Sequence, residues 1–476
     1  MLKMITKTTI VTTLGPATAS ESMIKALIDR RVTVFRLNFS HGTFASHQAT
    51  LEAIRKAART VPWAVCVMGD LCGPKIRAAA IEPAGTLQIG DAVVIRADSE
   101  PGTPHCFGLT APELVADIQI GERILIDDGT IRLSVVGKEL GRLVCTVQVG
   151  GAISTGKGVN LPDTTLSLPA ITERDWEYVD WAVENDLDYL ALSFVQTADE
   201  IMTLRKKLDE KNSAIQIVAK IEKPLAVANL ESILHASDAL LAARGDLGVE
   251  MDLAYVPLAQ KKMTAMCRRF GKPIIVATQV LQSMIQKPVP TRAEASDVAN
   301  AVMDYADAVM LSGETAVGDW PIQAVDFLAH ACRVTERYLD EADAARQPIE
   351  TLPELHEREA VVRSVVMMLD RVKVKAIVVW TESGLTARLL SKMRPDVPVL
   401  ALCPNATIAH QLAFFYGVVS VCAERSADLK AWLRQVETLC FQNGWTSRGD
   451  SVLIMPPEEL LSPQNRWVIA MHTFVE

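Results

Sequence analysis

Aromatic residues are scarce: Phe, Trp and Tyr make up 5% of the chain. Its cores must therefore be packed from Ala, Val, Leu and Ile, as α/β proteins do. A basic excess is also missing. The net charge of −9 argues against non-specific nucleic-acid binding, while leaving room for a local basic site that takes a phosphorylated small molecule. The nine cysteines are an odd number and include no CxxC pair. Several, such as Cys66, Cys145, Cys403 and Cys422, lie in apolar stretches. Buried thiols in a reducing cytosol fit this better than a disulfide frame or a zinc site. The start, MLKMITKTTIVTTLGPAT, lacks the charged lead and apolar core of a signal peptide. No apolar run approaches a membrane span. A soluble, cytoplasmic protein with no membrane or nucleic-acid partner is expected. There is no short tandem repeat and no low-complexity tract.

With 476 residues, two or three domains are expected. Residues 5–14 are β-branched and read as a first strand. Ser20 can cap a helix reaching Arg31. Further strands fall at 32–38 and 63–69, with a helical pattern at 44–59 between them. The alternation then stops. Residues 73–159 hold strand-like segments joined by Gly and Asp turns, with Asp128-Gly129 as a hairpin signal. Glycine-rich GKGVNLP (156–162) leads back. A helix starts near Thr172, and strands follow at 189–195, 215–219, 239–243, 273–278 and 307–311. The last helix of this series spans 321–339. Three strands before the insertion and five after it predict a closed (β/α)8 TIM barrel, with a doubly wound open sheet as the alternative. The expected division is 1–72 with 160–338 for the barrel, 73–159 for a small inserted β domain, and 339–476 for a C-terminal α/β domain. Residues 339–353 read as a connector. Beyond it, strands are expected at 375–380, 397–402, 418–423, 450–455 and 467–474, with helices at 355–371 and 426–442.

The densest chemistry lies in 215–250, IQIVAKIEKPLAVANLESILHASDALLAARGDLGVE. One apolar run ends in Lys220 and then Glu222, the next in Arg244, Gly245 and Asp246. Ligands of α/β folds sit beyond the carboxyl ends of parallel strands. A lysine and two carboxylates should then share one mouth. Two carboxylates can hold Mg²⁺ and leave positions for water and substrate oxygens. A lysine suits phosphate. Phosphoryl transfer needs mainly positioning and charge neutralisation, which these groups supply. Singly, each reads as a solvated acid or a salt-bridge partner; three at successive strand ends point to a site.

Other polar groups end the remaining strands. FRLNFSHG (35–42) offers Arg36 to a phosphoryl group, and Asn38, Ser40 and His41 to a cation or to an ordinary turn. Asp70 precedes LCGPKIR, with Lys75 and Arg77, which reads equally as a hinge. Thr278 and Gln279 end one strand. Ser312 and Glu314 stand near a helix start, where a capping role competes.

Together FRLNFSHG, GPKIR, AARGDLGVE, ATQVLQSM, PVPTRAEASDVANAV and LSGETA closely resemble the pyruvate kinase family, in order across residues 5–340. The resemblance implies a (β/α)8 barrel, a β domain closing as a lid, and a C-terminal domain used in assembly and regulation, usually within a homotetramer. It implies phosphoryl transfer from phosphoenolpyruvate to ADP, giving pyruvate and ATP. At matching positions Glu222 and Asp246 would hold Mg²⁺ or Mn²⁺. Lys220 would stabilise the transferring group and Arg36 would hold phosphate. Amides near Gly245 and Asp246, with Thr278, would hold the substrate carboxylate. Thr278 and Ser312 match the proton route. Asn38, Phe39, Ser40, His41, Arg77 and Arg174 match nucleotide contacts.

Four departures stand out. Many members carry Glu where this chain has Lys75, and need K⁺ at positions matching Asn38, Ser40, Asp70 and the Leu71 carbonyl. Lys75 is expected to fill that pocket and make K⁺ unnecessary. Cys72 replaces a usual lysine. KIEKPLA (220–226) replaces the usual KIEN-x-x-G, and Pro224 fits a first helical turn. In the C-terminal domain, Thr381, Ser383 and Thr386 match effector-phosphate positions or an ordinary helix cap. PPEELLSPQNRW (456–467) stands where sugar-phosphate-activated members have a glycine-rich loop, which argues against fructose 1,6-bisphosphate. The competing readings are a lyase on a similar barrel and a non-catalytic or effector-requiring paralogue.

Overall fold

The computed structural model describes residues 6–341, 356–461 and 467–475. Eight parallel strands close into a barrel: β1 (Thr9–Thr13), β2 (Val34–Asn38), β3 (Cys66–Asp70), β4 (Tyr189–Leu192), β5 (Gln216–Ile221), β6 (Ala239–Ala243), β7 (Ile274–Ala277) and β8 (Ala308–Leu311). They neighbour one another in chain order, and β8 pairs with β1. The closed ring excludes the open-sheet alternative. β4, β6, β7 and β8 are buried at every residue, which is why they read as unbroken apolar runs rather than alternating ones. The strand carrying Lys220 runs on to Ile221, so the lysine lies inside the strand and not beyond its end.

The helices start where side chains can cap them. Ser20 accepts from the Met23 amide at 3.3 Å, and Thr172 forms a capping box with Asp175 ahead of helix Glu173–Glu184. The first helix stops at Asp29, short of Arg31, whose φ of +66° leaves the helical region. Pro224 opens Pro224–Ala228 at its first turn, where a missing N–H is harmless.

Between β3 and β4 the chain builds a separate sheet of six strands, in the order Val159–Asn160, Arg123–Ile126, Ile131–Glu139, Arg142–Val149, Ala92–Arg96 and Cys106–Gly108. Its hairpin turns at Asp127, Asp128 and Gly129, all at positive φ, between register partners Ile126 and Ile131. After the barrel, helix Pro321–Glu341 extends past the expected start of the connector; residues 342–355 lie outside the described residues. The C-terminal sheet has four parallel strands and an antiparallel edge strand, Ala470–Thr473.

Inside the barrel small side chains, Ala191, Ala239, Ala277 and Ala308, pack beside larger ones, Met68, Tyr189, Leu241 and Met310. The bottom is plugged from the C-terminal domain: Phe414 meets Tyr189 edge-on at 4.5 Å, and the Tyr189 hydroxyl donates to the Gln411 carbonyl at 2.9 Å. Cys66, Cys145 and Cys403 are buried as expected, but Cys422, at the end of Val418–Cys422, is exposed.

Candidate active site

The mouth above the strand ends holds a chain of alternating charges. Arg36 on β2 donates from Nε to Asp70 Oδ2 at 2.6 Å and from Nη1 to Thr13 Oγ1 at 3.0 Å. Asp70 Oδ1 lies 3.2 Å from Lys220 Nζ, and Lys220 lies 2.9 Å from Glu222 Oε1. Lys220 also donates to Ser193 Oγ at 2.6 Å, which in turn donates to the Leu71 carbonyl at 2.7 Å. Glu222 Oε2 accepts from the Phe194 amide at 2.6 Å, and Phe194 takes a φ of +55° there.

Burial alone would lower Lys220, but the Asp70 and Glu222 carboxylates outweigh it and hold the ammonium above its ordinary value. Burial would raise Asp70, yet Arg36 and Lys220 hold it below the usual carboxylate range. Glu222 is pushed up by burial and by the charge of Asp246, against the pull of Lys220. Asp246 itself is exposed on the short helix Arg244–Glu250 that follows β6. Two neighbouring carboxylates, one of them raised by the other, suit a hard divalent cation that completes its shell with water and substrate oxygens. Among the described residues no group of three or more His, Cys, Asp or Glu side chains is arranged to hold a metal, so a site here rests on that pair.

Thr278, just beyond β7, has a φ of +65°, a strained conformation for a β-branched residue. Its Oγ1 accepts from the Gly245 amide at 2.6 Å and donates to the Ala277 carbonyl at 2.7 Å. The Gly245 N–H is thus turned onto Thr278. Ser312 does not cap the helix Gly313–Ala316; its buried Oγ has no hydrogen-bond partner among the described residues. Glu314 instead accepts from the Leu281 and Ser312 amides at 2.9 and 2.8 Å, tying two strand-end loops together.

Asn38 and Asp70 are register partners across β2 and β3. Asn38 Oδ1 accepts from the Ser40 amide at 3.2 Å, the ordinary turn role. Lys75 does not fill the cation pocket beside them. It is exposed, and no hydrogen bond or ion pair joins it to Asp70, Asn38 or Ser40 among the described residues; Arg36 and Lys220 neutralise Asp70 instead. Lys75 lines a cleft of about 370 Å³ between the inserted domain and the barrel, with Arg77, Lys157 and Asp246. Arg77 donates from Nη1 to the Gly156 carbonyl at 2.8 Å. The Phe39 ring is fully buried and stacks on Tyr178 at 4.3 Å, so it supports the loop and does not face a nucleotide. His41 and Arg174 are exposed, and Arg174 lies over the Tyr178 ring at 5.7 Å. Cys72 is half-buried, and its amide is held by Asp175 at 2.8 Å.

Sequence reasoning passed over Ser193, Thr13 and Lys157. Each sits in an unremarkable local context, and only Lys157, in the glycine-rich return, offered a usable signal. The remaining candidates are remote from this mouth. Thr381 and Thr386 are buried in the C-terminal domain, where Arg358 donates to Thr386 Oγ1 at 3.1 Å, while Ser383 is exposed.

A closed parallel barrel with charged groups at its strand ends, beside a cleft under an inserted sheet, defines a (β/α)8 enzyme with its site at the carboxyl ends of the strands. Comparison with known proteins makes this specific. The family model described as the pyruvate kinase barrel domain matches residues 5–325, and that of the pyruvate kinase alpha/beta domain matches 359–458. A pyruvate kinase from Mycobacterium intracellulare is 40% identical over 447 residues, 94% of each chain. One from Geobacillus stearothermophilus is 39% identical over 94% of this chain and 77% of its own. A solved pyruvate kinase from Cryptosporidium parvum superposes with a TM-score of 0.91 at 33% identity, over 99% of this chain and 97% of that one. The chain belongs to the pyruvate kinase family, a family of metal-dependent phosphotransferases. Among the described residues no helix is long and apolar enough to cross a membrane.

Proposed function

We propose that this chain transfers the phosphoryl group of phosphoenolpyruvate to ADP, giving pyruvate and ATP, in the cytoplasm and as a homotetramer. The division into 1–72 with 160–338, 73–159 and 339–476 is part of the same reading. The observation that carries it is the Lys220 ammonium, buried between Asp70 and Glu222 at 3.2 and 2.9 Å in the mouth shared with Asp246. Glu222 and Asp246 would hold Mg²⁺ or Mn²⁺, which when bound supplies compact positive charge to substrate oxygens. Lys220 and Arg36 face the phosphoryl oxygens as the bond to the enol oxygen breaks and the bond to the ADP oxygen forms. Thr278 and the Gly245 and Asp246 amides hold the carboxylate, which requires the Gly245 N–H to leave Thr278 Oγ1. Ser312, with its unpartnered hydroxyl, and Thr278 carry a proton to the enolate carbon. Asn38, Ser40, His41, Arg77 and Arg174 flank the nucleotide, with Phe39 as support behind them. Thr381, Ser383 and Thr386 are the candidates for an effector phosphate.

K⁺ independence belongs to the same proposal. Lys75 puts a positive charge at the cleft where many members have a negative one, and this repels a monovalent cation even from a side chain outside the pocket. The test is pyruvate formation from phosphoenolpyruvate and ADP with Mg²⁺, in potassium-free buffer and again with KCl. Equal rates are expected. Activity only with KCl sinks the K⁺ reading, and no pyruvate in either buffer sinks the reaction.

A further inference from the structure

A buried charged junction lies on the seam between the inserted sheet and the barrel, beside the proposed metal carboxylates. Lys223 directly follows Glu222 and is only 5% exposed. Among the described residues its Nζ forms a long ion pair with Glu250 Oε2 at 3.5 Å and donates a long hydrogen bond to the Leu161 carbonyl at 3.4 Å. Glu250 is 2% exposed and ends the helix that carries Asp246. Its Oε1 accepts a 2.8 Å hydrogen bond from Asn160 Nδ2, while Oε2 has no hydrogen-bond partner among the described residues. Asn160 belongs to the last strand of the inserted sheet, which pairs with Arg123–Ile126. All three side chains line the cleft that holds Asp246.

The connectivity gives this junction its meaning. Lys223 is one residue from Glu222, and Glu250 is four residues from Asp246, on the same face of one helix. Both segments that carry a proposed metal ligand therefore grip the strand by which the chain returns from the inserted sheet. The grip combines one short bond with two long contacts. A buried pair with ideal geometry is rigid, whereas contacts at 3.4–3.5 Å can lengthen or close as the sheet moves. Neither charge has solvent to turn to, so each depends on the other.

We propose that Lys223 and Glu250 are positioning residues: they register the returning strand, and with it Lys157 and Arg77, on the two metal-bearing segments, so that lid position and the metal site are set together. This rests on Glu222 and Asp246 being the metal ligands. The test compares the full chain with Lys223→Met, Glu250→Gln and the double variant. It reads amide hydrogen exchange over residues 155–166 without substrate, and KM and kcat for ADP and phosphoenolpyruvate per folded site. Each single variant should speed exchange in that segment and raise KM for ADP about tenfold or more, with KM for phosphoenolpyruvate changed far less. The neutral double variant should recover most of the loss. Unchanged exchange overturns the proposal. So does faster exchange with unchanged kinetic constants, which marks a merely structural pair. A double variant no better than Lys223→Met also overturns it, making Lys223 a direct ligand. If the wild-type chain forms no pyruvate, the reaction fails, and the exchange data alone then decide whether the junction holds the strand.

Discussion

Each end of the barrel buries a lysine against an aspartate; burial disfavours both charges, but their neighbours drive the net outcome in opposite directions. At the top, Lys220 sits between Asp70 and Glu222, and its charge is held above the ordinary value. At the bottom, Lys392 enters from the C-terminal domain and meets Asp307 alone at 2.6 Å, with Arg394 as a second cation nearby. There burial lowers Lys392, and Asp307 does not make up the difference. Asp307 also accepts from the Ile274 amide at 2.9 Å, and both members of the pair are buried. An ammonium facing an excess of carboxylate, next to a cleft, can be shared with an incoming anion. An ammonium that shares a single carboxylate with a second cation in a buried interface can only hold two domains together.

The comparison breaks most sharply at the top. Lys220→Met should cut turnover by ~10³-fold or more and leave the far-ultraviolet circular dichroism unchanged; retention of a sizeable share of the activity would remove Lys220 from the chemistry. At the bottom, Lys392→Met should cost about 3–5 kcal/mol of stability by stranding Asp307, with kcat per folded site within about twofold. A thermal melt paired with active-site titration separates these effects, and a large fall in kcat without a change in melting temperature would contradict the contrast.

The smallest effect tests a second tie at the bottom. His410 Nδ1 lies 3.0 Å from Asp188 Oδ1, across the seam between C-terminal domain and barrel. Burial lowers its pKa, but the bond to Asp188 and the Asp188 charge outweigh this and raise it. A raised histidine contributes stability that is complete below its unfolded pKa of about 6.5 and is lost as the pH climbs through its folded value. His410→Gln should therefore lower the melting temperature more at about pH 6 than at about pH 9; an equal loss at both would show that the charge does not matter.

Much of the top was legible in the chain. Apolar runs bounded by helical sequence marked the strands, and Arg36, Asp70, Lys220 and Glu222 near their carboxyl ends are joined in one chain of ion pairs. Side-chain direction was less legible. Phe39 and Lys75 lie in motifs whose neighbours face the site, yet one ring packs inward on Tyr178 and one ammonium points to solvent. Ser193 carries no motif, although it donates to Leu71 and accepts from Lys220. The bottom was hardly legible at all. Lys392 and Asp307 are 85 residues apart, and each alone looks like a surface charge.

The sequence by itself determined the eight-fold strand count, the place of the insertion and the identity of the charged groups, because strand burial and strand-end chemistry are local patterns. Only the tertiary structure decided which lysine faces two carboxylates and which shares one with a second cation, and how the returning strand is gripped by Lys223 and Glu250. Those outcomes depend on distances between segments far apart in the chain, and at a few ångströms in a buried setting such distances control both charge and role.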